Sequence, residues 1–440
     1  MKKIDTLVIG SGPGGLAAAE KLAANQTVVV CENDLWGGTC PNRGCDPKKM
    51  LYSAVELAEQ TKRFEENGLK GEVKIDWPTL MEFKESYTSK IPAQMQSSLK
   101  NSHIQTVQGT AQFQTNGLIK INDDFYDPKN IIIATGQKTR TLTIPGSEYL
   151  HNSSDFLSLK QMPKRIVVLG AGYIALELSN IARTAGANVD IIQHNDQPLK
   201  AFPKKLVGDL VRVMEETGIN FHFNEEIKSV KRVEESFEVT TNTEVIRADW
   251  VLNATGRIPN IEELNLNNVD IETDSHGIVV NENLETSRAN VYAIGDCAAK
   301  KLPKLTPVAE FEGNYAAERI LGLNSAKPIR YPVIPSVVYS TLKLAQVGFD
   351  SLNSKIDYKI TTTDVTHWYN YNLTKEPVAK IMTVIDPNTD RLAAGAILSS
   401  SADDMINQFV LLINQKISPV EVARTIFAYP SRSADLNYLV

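Results

Sequence analysis

An apolar strand, a glycine-rich turn and a helix follow one another twice along this chain. The first copy spans residues 5–32 with its turn at residues 10–15, and the second spans residues 166–192 with its turn at residues 170–175. Short strands that alternate with helices build parallel sheets covered by helices. The repeat therefore predicts an α/β fold that contains two Rossmann-like domains.

The first turn has the spacing Gly-x-Gly-x-x-Gly, at Gly10, Gly12 and Gly15. Such a turn lets the backbone approach a pyrophosphate, whose charge then lies at the N-terminus of the following helix. The same glycines also occur in ordinary tight turns. Glu32, about 20 positions further on at a strand end, favours a dinucleotide, because a carboxylate there accepts hydrogen bonds from the ribose.

The second turn repeats the fingerprint with Gly170, Gly172 and Ala175, but no acid stands at the end of its second strand. That strand end carries Gln193 and His194, and Lys200 follows in the next loop. A ribose 2′-hydroxyl favours a carboxylate, whereas a 2′-phosphate favours hydrogen-bond donors and positive charge. The pattern favours NADPH over NADH. The alternative is that His194 and Lys200 are solvated loop residues.

Composition limits the partners of the chain. Its 440 residues carry 46 Lys and Arg against 52 Asp and Glu, which argues against a nucleic-acid binder. The longest uncharged apolar stretch, residues 166–176, is about half of the roughly 20 residues that span a membrane. Asp5 and the first glycine turn interrupt the apolar start, which argues against a signal peptide. Four cysteines are too few to form a disulfide framework in a chain of this length. We therefore expect a reduced, cytoplasmic setting.

Clusters of turn-forming residues mark two domain crossings, at residues 144–163 and near residues 270–276. From residue 331 onwards, apolar runs and hairpin turns predict an α+β domain with antiparallel strands. We therefore expect a discontinuous first domain of residues 1–150 and 275–330, a second domain of residues 151–274, and a C-terminal domain of residues 331–440.

Cys40 and Cys45 form a closely spaced pair in the segment Gly37-Gly-Thr-Cys-Pro-Asn-Arg-Gly-Cys-Asp-Pro-Lys-Lys49. Two thiols separated by four residues can close into a disulfide and reopen, and a nearby helix N-terminus and cations favour the thiolate. A zinc site would need a second cysteine or histidine cluster, which this segment lacks. The other alternative is an inert structural pair. The pattern favours a redox-active disulfide and no metal site.

The cysteine segment resembles the redox signature of the class I pyridine nucleotide-disulfide oxidoreductases. Further stretches similar to this family run in order along the chain: Gly109-Thr-Ala111, Ala134-Thr-Gly136, Ala254-Thr-Gly256-Arg257, Ala293-Ile-Gly-Asp296, Leu305-Thr-Pro-Val-Ala309 and Ile334-Pro-Ser-Val-Val. The resemblance implies FAD in the first domain, NAD(P)H in the second, and a C-terminal dimerisation domain that makes a homodimer. Electrons would pass from nicotinamide through flavin and the disulfide to a small-molecule acceptor.

The resemblance also implies roles for individual residues. Cys45 would face the flavin, and Cys40 would be the interchange thiol that meets the acceptor. Lys48 matches the lysine beside the flavin, and Glu177 matches its ion-pair partner. The other implied cofactor contacts are Gly38, Thr39, Lys49, Ala111, Thr135, Gly136, Tyr173, Gly256, Asp296 and Thr306.

Three of these contacts have more specific implied roles. Tyr173 matches the aromatic lid over the nicotinamide pocket, and a core position is the alternative. Asp296 matches the carboxylate on the flavin ribityl chain. The helix after Thr306 would point its N-terminus at the flavin ring and stabilise negative charge there.

The C-terminal segment departs from the family. Most disulfide-reducing members carry a His-Pro motif and a glutamate five residues after the histidine, which protonates the leaving thiol across the dimer. Here Tyr429 stands at the histidine position and Ala434 at the glutamate position. Tyr429 either fills space or donates a proton or orients an acceptor. Mercury-reducing members also carry the tyrosine, but they have a C-terminal cysteine pair, and no cysteine follows Cys297 here.

The expected acceptor is a disulfide other than glutathione. Glutathione-reducing members place arginines where this chain has Glu20 and Asn314, so peptide carboxylates would be poorly held. We therefore expect an FAD-dependent NAD(P)H oxidoreductase. Two alternatives stay open: a non-disulfide acceptor such as a metal ion or a quinone, and a redox sensor in which Cys40 and Cys45 switch conformation.

Overall fold

The computed structural model of the protein describes residues 1–323 and 327–440. Residues 324–326, which belong to the predicted segment 275–330, lie outside the described residues. The helices of the described residues are α1 Pro13–Ala23, α2 Thr39–Arg43, α3 Cys45–Arg63, α4 Trp77–Thr88, α5 Ile91–Asn101, α6 Ser153–Phe156, α7 Tyr173–Thr184, α8 Lys204–Glu216, α9 Thr306–Ile320, α10 Tyr369–Asn372, α11 Ala402–Asn414 and α12 Pro419–Ala423.

Strands account for much of the remaining regular structure. They are β1 Lys2–Ile9, β2 Val28–Glu32, β3 Gln105–Gln108, β4 Ala111–Phe113, β5 Ile119–Ile121, β6 Asp124–Ile133, β7 Gln137–Thr139, β8 Arg165–Leu169, β9 Asn188–Gln193, β10 Ile219–Phe223, β11 Ser229–Val233, β12 Ser236–Thr240, β13 Val245–Ala248, β14 Trp250–Asn253, β15 Arg257–Pro259, β16 Thr273–Asp274, β17 Gly277–Ile278, β18 Val291–Ala293, β19 Ser336–Tyr339, β20 Lys343–Val347, β21 Lys359–Asp364, β22 Lys380–Asp386 and β23 Arg391–Ser399.

The chain divides into two compact units. Unit 1 comprises Met1–Lys49, Glu82–Arg140 and Arg257–Arg330, and unit 2 comprises Met50–Met81, Thr141–Gly256 and Tyr331–Val440. Residues 257–274 lie in unit 1, where β15 pairs with β7. The assignment of three domains to particular cofactors and to a dimer interface stays a prediction.

Unit 1 contains a sheet with the strand order β3-β2-β1-β6-β5-β4, in which β18 also pairs with β6. β1 runs parallel to β2 and β6, with Leu7 opposite Val29 and Ile131. The central strands are buried apolar runs, as expected for parallel strands between helices. The carboxyl ends of β1 and β2 bring the first glycine turn and Glu32 to the same edge of the sheet.

Unit 2 contains a second parallel sheet, with the order β10-β9-β8-β14. The second glycine turn follows β8, and Gln193 ends β9, so these features also meet at one sheet edge. The antiparallel strands β11, β12 and β13 form a separate small sheet. The predicted repeat of the strand, turn and helix pattern is therefore present in both units.

The C-terminal part of unit 2 is an antiparallel sheet with the order β19-β20-β23-β22-β21. Helix α11 buries Met405, Phe409 and Leu412, which the sequence places on one helical face. The Ser418 hydroxyl accepts from the Glu421 N–H, and the Glu421 carboxylate accepts from the Ser418 N–H, which forms a capping box at the start of α12.

Two helices begin three residues earlier than the sequence pattern predicts. Helix α1 starts at Pro13 and α7 at Tyr173, whereas the apolar periodicity begins at residues 16 and 176. Gly12 and Gly172 have extended backbones and act directly as the N-caps. The N-terminal turn of each helix therefore lies within the glycine motif, where its N–H groups are available to an anion.

Candidate active site

The first glycine turn is tied to Glu32 through Ser11. The Ser11 N–H and hydroxyl donate to Glu32 Oε2 at 2.9 and 2.7 Å. Glu32 Oε1 accepts from the Asp34 N–H at 2.9 Å. Gly10 permits close strand packing, because a Cβ there would lie 2.4 Å from the Ala134 carbonyl oxygen. The carboxylate at the end of β2 is thus held rigidly beside the turn.

The segment that carries both cysteines, residues 37–45, is called the cysteine loop here. It packs directly against the first glycine turn. The Gly37 N–H donates to Ser11 Oγ at 3.0 Å, and the Asn42 side-chain amide donates to the Gly38 carbonyl at 2.8 Å. Gly38 has a φ of 70°, and a Cβ there would lie 2.6 Å from Gly12 Cα. A larger residue at Gly38 would separate the loop from the turn.

Cys40 and Cys45 differ in their surroundings, although both are free thiols. Cys40 lies half-buried in α2, and Cys45 is exposed at the first position of α3. The Cys45 Sγ lies 3.8 Å from Thr306 Oγ1. A hydrogen bond from the Cys40 thiol lowers the pKa of Cys45, and Lys48 and the Thr306 hydroxyl lower it further.

The same hydrogen bond, together with burial, raises the pKa of Cys40. When both sulfurs are reduced, the remaining proton therefore lies on Cys40 and the negative charge on Cys45. The reduced pair therefore contains a stabilised thiolate at Cys45 and a thiol at Cys40.

Asp296 lies next to the Thr306 helix in unit 1. Burial raises the pKa of Asp296, and the positive charges of Lys304 and Arg257 oppose that shift. The adjacent Gly295 N–H donates to Glu312 Oε2 at 2.7 Å, and Lys300 pairs with Glu312. Glu312, which is fully buried in α9, thus fixes the short segment that carries Asp296.

The residues of unit 1 fit an adenine dinucleotide at the first glycine turn. A Cβ at Gly12 would meet no atom within 4 Å, so the N-terminus of α1 opens onto free space. Glu32 and Asp296 place carboxylates at the end of β2 and at the segment before α9. An open helix N-terminus binds phosphate oxygens, and the carboxylates can accept from hydroxyl groups.

The predicted site residues divide between the two units. Unit 1 contains Gly10, Gly12, Gly15, Glu32, Gly38, Thr39, Cys40, Cys45, Lys48, Lys49, Ala111, Thr135, Gly136, Asp296 and Thr306. Unit 2 contains Gly170, Gly172, Tyr173, Ala175, Glu177, Gln193, His194, Lys200, Gly256 and Tyr429. Because Lys48 and Glu177 fall in different units, their pairing stays a prediction.

In unit 2, Gln193 occupies the position that Glu32 has in unit 1. Gln193 Oε1 accepts from the Ala171 N–H at 3.0 Å, and its amide group donates to Asn195 Oδ1 at 2.8 Å. The buried amide therefore replaces a carboxylate in the same hydrogen-bonding role. His194 and Lys200 are exposed in the following loop, as solvent-accessible donors.

Helix α7 carries one buried and one exposed residue of the predicted site, Glu177 and Tyr173. Glu177 is buried, and its Oε1 accepts from the Tyr339 N–H at 2.9 Å. Tyr173 is the first residue of the helix and is 49% exposed, so within unit 2 it is not a core residue.

Tyr429 lies on the surface of unit 2. The residue is 75% exposed, and its ring stacks on Tyr369 with a centroid distance of 6.5 Å. The segment after Tyr429 is anchored to unit 2 by a buried side chain, because the Asn370 amide donates to the Ser431 carbonyl and to Asp435 Oδ1, each at 2.9 Å. Within unit 2, Tyr429 therefore fills no part of the core.

Asp46 and Tyr87, which lie beside Cys40, are not among the residues predicted from the sequence. The Tyr87 hydroxyl donates to Asp46 Oδ2 at 3.0 Å. Asp46 is visible in the cysteine motif as a charged residue directly after Cys45. Tyr87 carries no local signal, because it lies on α4, far from the motif in sequence.

Among residues 1–323 and 327–440, no group of three His, Cys, Asp or Glu side chains is arranged to hold a metal ion. Nor does any helix within these ranges have the length and apolar character needed to cross a membrane.

Profile comparison defines the class of protein. A profile described as pyridine nucleotide-disulphide oxidoreductase matches residues 4–313, and one for the dimerisation domain of these enzymes matches residues 334–439. The fold and the cysteine site are those of a nucleotide-dependent oxidoreductase. The chain belongs to the pyridine nucleotide-disulphide oxidoreductase family. The predicted family, fold class and enzyme class are confirmed.

Individual relatives agree with this membership. The chain is 35% identical to dihydrolipoyl dehydrogenase of Bacillus subtilis, over 97% of this chain and 93% of the relative. It is 33% identical to dihydrolipoyl dehydrogenase of Geobacillus stearothermophilus, with the same coverage. A Cu(II) complex of a variant of the HOCl-induced flavoprotein disulfide reductase RclA from Escherichia coli shares the fold, with a TM-score of 0.90, 22% identity, and coverage of 100% of this chain and 99% of that one.

Family membership implies FAD and a pyridine nucleotide as cofactors. The match to the dimerisation domain supports a homodimer.

Proposed function

We propose that the protein reduces a small disulfide other than glutathione, with electrons that pass from NADPH through FAD to Cys40 and Cys45. The observation that carries this proposal is the asymmetry of the cysteine pair. Cys45 has a lowered pKa beside Lys48 and Thr306, and Cys40 keeps the proton. A thiolate poised beside a protonated partner suits a disulfide that opens and closes in each turnover.

The proposed domain assignment follows the same electron path. Residues 1–150 and 275–330 would bind FAD, residues 151–274 would bind NADPH, and residues 331–440 would form the dimer interface. When bound, the two cofactors supply hydride transfer and two-electron storage. Gly10, Gly12, Gly15 and Glu32 would hold the adenine dinucleotide, with Asp296 and Thr306 on the flavin side.

A small disulfide is supported by the relatives named as dihydrolipoyl dehydrogenases. Glutathione is disfavoured because Glu20 and Asn314, which replace the expected arginines, are exposed on α1 and α9. The Asn314 amide donates to the Glu310 carbonyl at 3.0 Å within its own helix. Neither residue would clamp a peptide carboxylate. The cysteine content supports a reduced, cytoplasmic setting.

The test of the function is a screen of NADPH oxidation by the holoenzyme against disulfides, quinones and metal ions. The disulfides are lipoamide, hydroxyethyl disulfide and glutathione disulfide. We expect sustained turnover with one of the first two. Turnover only with quinones or metal ions would contradict a disulfide acceptor, and a single reduction without turnover would favour a redox sensor.

The preference for NADPH is proposed from the Gln193 position. The carboxamide replaces the carboxylate that would accept from a ribose 2′-hydroxyl, and exposed His194 and Lys200 can meet a 2′-phosphate. We expect Gln193→Glu to lower the ratio of kcat/KM for NADPH to that for NADH by at least about tenfold, because the carboxylate repels the phosphate.

Two lysine variants separate this effect from a general change in charge. Lys200→Ala should reduce kcat/KM for NADPH and leave that for NADH unchanged. Lys205→Ala removes an exposed lysine of α8 and should alter neither value. Equal efficiency of the unmodified protein with both nucleotides would contradict the proposal.

A further inference from the structure

A carboxylate and a phenol lie beside the interchange thiol. The Cys40 Sγ lies 4.0 Å from Asp46 Oδ1, at the outer limit of a sulfur hydrogen bond, so the thiol proton that is shared with Cys45 can also turn to this carboxylate. The Tyr87 hydroxyl donates to Asp46 Oδ2 at 3.0 Å. The Asp46 carboxylate therefore lies between the sulfur of Cys40 and the phenol of Tyr87.

Three helices build this arrangement in unit 1. Cys40 lies in α2, Asp46 in the first turn of α3, and Tyr87 in the last turn of α4. An acidic residue in the first turn is stabilised by the N-terminal helix dipole. Tyr87 holds the second carboxylate oxygen, so that the first stays directed at the sulfur.

The tail of this chain lacks the histidine that would serve the interchange thiol. Tyr429 stands at that position, and a phenol with a reference pKa of about 10 is a poor proton acceptor near neutral pH. A chain that reduces alkyl disulfides still needs a group that takes the proton of Cys40 and returns it to the leaving sulfur.

We propose that Asp46 exchanges the proton of Cys40 during acceptor reduction, and that Tyr87 positions Asp46 for this role. Asp46 is then a catalytic residue, because it touches the reacting sulfur. Tyr87 acts through Asp46 and is a positioning residue. The inference rests on the proposed reduction of a disulfide.

Reduction of the acceptor takes place in two thiol–disulfide exchanges. The Cys40 thiol gives its proton to Asp46 while its sulfur attacks one sulfur of the acceptor and forms a mixed disulfide. The S–S bond of the acceptor breaks, and the departing sulfur takes the electron pair and the proton from Asp46. The Cys45 thiolate then attacks Cys40 Sγ, which forms the Cys40–Cys45 disulfide and expels the second thiolate. This thiolate takes a proton from water and leaves hydroxide.

Electrostatics agrees with these roles. The Cys45 hydrogen bond and burial raise the pKa of Cys40, and the Asp46 carboxylate raises it further, so Cys40 needs a base. Burial and the bond to Asp46 raise the pKa of Tyr87. The Tyr87 phenol therefore stays protonated and remains a donor throughout the neutral range.

The leaving group of the acceptor provides the test. An aryl disulfide such as dithiobis-nitrobenzoate releases an acidic thiol that departs as its anion, whereas hydroxyethyl disulfide releases a basic thiolate that benefits from a proton. In holoenzyme pre-reduced with NADPH, Asp46→Asn should slow the reaction with hydroxyethyl disulfide about 10²–10⁴-fold. The reaction with the aryl disulfide should slow far less, because its leaving thiol departs without a proton and only the uptake of the Cys40 proton is lost.

A further readout separates proton transfer from damage to the fold. Acetate should partly restore the alkyl disulfide reaction of Asp46→Ala, because it can carry the proton in place of the missing carboxylate. A misfolded site would show no such gain.

Tyr87→Phe should lower kcat for hydroxyethyl disulfide by about tenfold or more, with an unchanged KM, because one hydrogen bond to a charged group is lost. Glu82→Gln, an exposed acid on the same helix, is the matched control and should change nothing.

The rates with the two disulfides distinguish a failure of the Asp46 role from a failure of the proposed disulfide reduction. Equal losses with both disulfides, or no loss in Asp46→Asn, would overturn the role of Asp46 while leaving disulfide reduction intact. An unmodified enzyme that reduces the aryl disulfide but not the alkyl one would also overturn it. Failure with both disulfides after normal flavin reduction would instead overturn the proposed function.

Discussion

Cys40→Ser holoenzyme is expected to show a long-wavelength charge-transfer band with oxidised flavin, whereas Cys45→Ser holoenzyme is not. In the first variant, the introduced hydroxyl can donate to Cys45 as the Cys40 thiol does, and Lys48 and Thr306, which also lower the pKa of Cys45, stay in place, so Cys45 should remain a thiolate. In the second, the remaining sulfur is Cys40, beside the Asp46 carboxylate, and it should stay protonated. Both variants should lose turnover of disulfides, because neither can close the intramolecular disulfide.

The band has a defined pH dependence. Since the pKa of Cys45 is lowered, the thiolate and its band should persist at neutral pH, below the ordinary thiol value of about 8.5. They should disappear only as the pH falls through the lowered value. A spectrophotometric titration of both variants measures this. A band in Cys45→Ser and none in Cys40→Ser would reverse the assigned roles.

Glutathione disulfide is expected to be a poor substrate for reasons of both binding and chemistry. Glu20 and Asn314 cannot hold the peptide carboxylates, and Tyr429 cannot form the imidazolium that protonates a leaving thiol. General acid–base catalysis of this kind is worth about 10²–10⁴-fold. The reduction of flavin by NADPH should be spared, because it involves neither Tyr429 nor the acceptor.

The double variant Tyr429→His with Ala434→Glu tests the chemical part alone. We expect it to accelerate the reduction of hydroxyethyl disulfide, with no gain in the rate of flavin reduction measured by rapid mixing. Ala434→Glu alone is the matched control and should give no gain. Efficient turnover of glutathione disulfide by the unmodified protein would refute the specificity argument. No gain in the double variant would count against Tyr429 as the chemical limitation.

The sequence predicts the parts of the fold that depend on short-range patterns. The strand, turn and helix motifs at Gly10 and Gly170 specify their own backbone geometry, because glycines allow close packing and helix N-termini follow directly. The capping box at Ser418 is equally local. Helices α1 and α7 begin at Pro13 and Tyr173, three residues before their apolar periodicity does, because that periodicity does not register the first turn of a helix.

Contacts between distant segments could not be predicted in this way. Gln193 looks like a free donor in the sequence, yet both ends of its amide are used inside unit 2. Tyr87 reaches Asp46 only because α4 packs beside the cysteine loop. Such pairings depend on tertiary packing, which no spacing along the chain encodes.

The path of electrons through Cys40 and Cys45 is the central claim, and thiol mapping during a single turnover tests it most directly. Anaerobic holoenzyme would be sampled before NADPH, after one equivalent of NADPH, and after one equivalent of hydroxyethyl disulfide, with rapid alkylation and mass analysis of both cysteines. We predict that both are protected at first, that Cys40 becomes alkylated after NADPH, and that both are protected again when the acceptor has been consumed. Consumption of the acceptor with the state of both cysteines unchanged, or by the Cys40→Ser and Cys45→Ser double variant, would contradict the account.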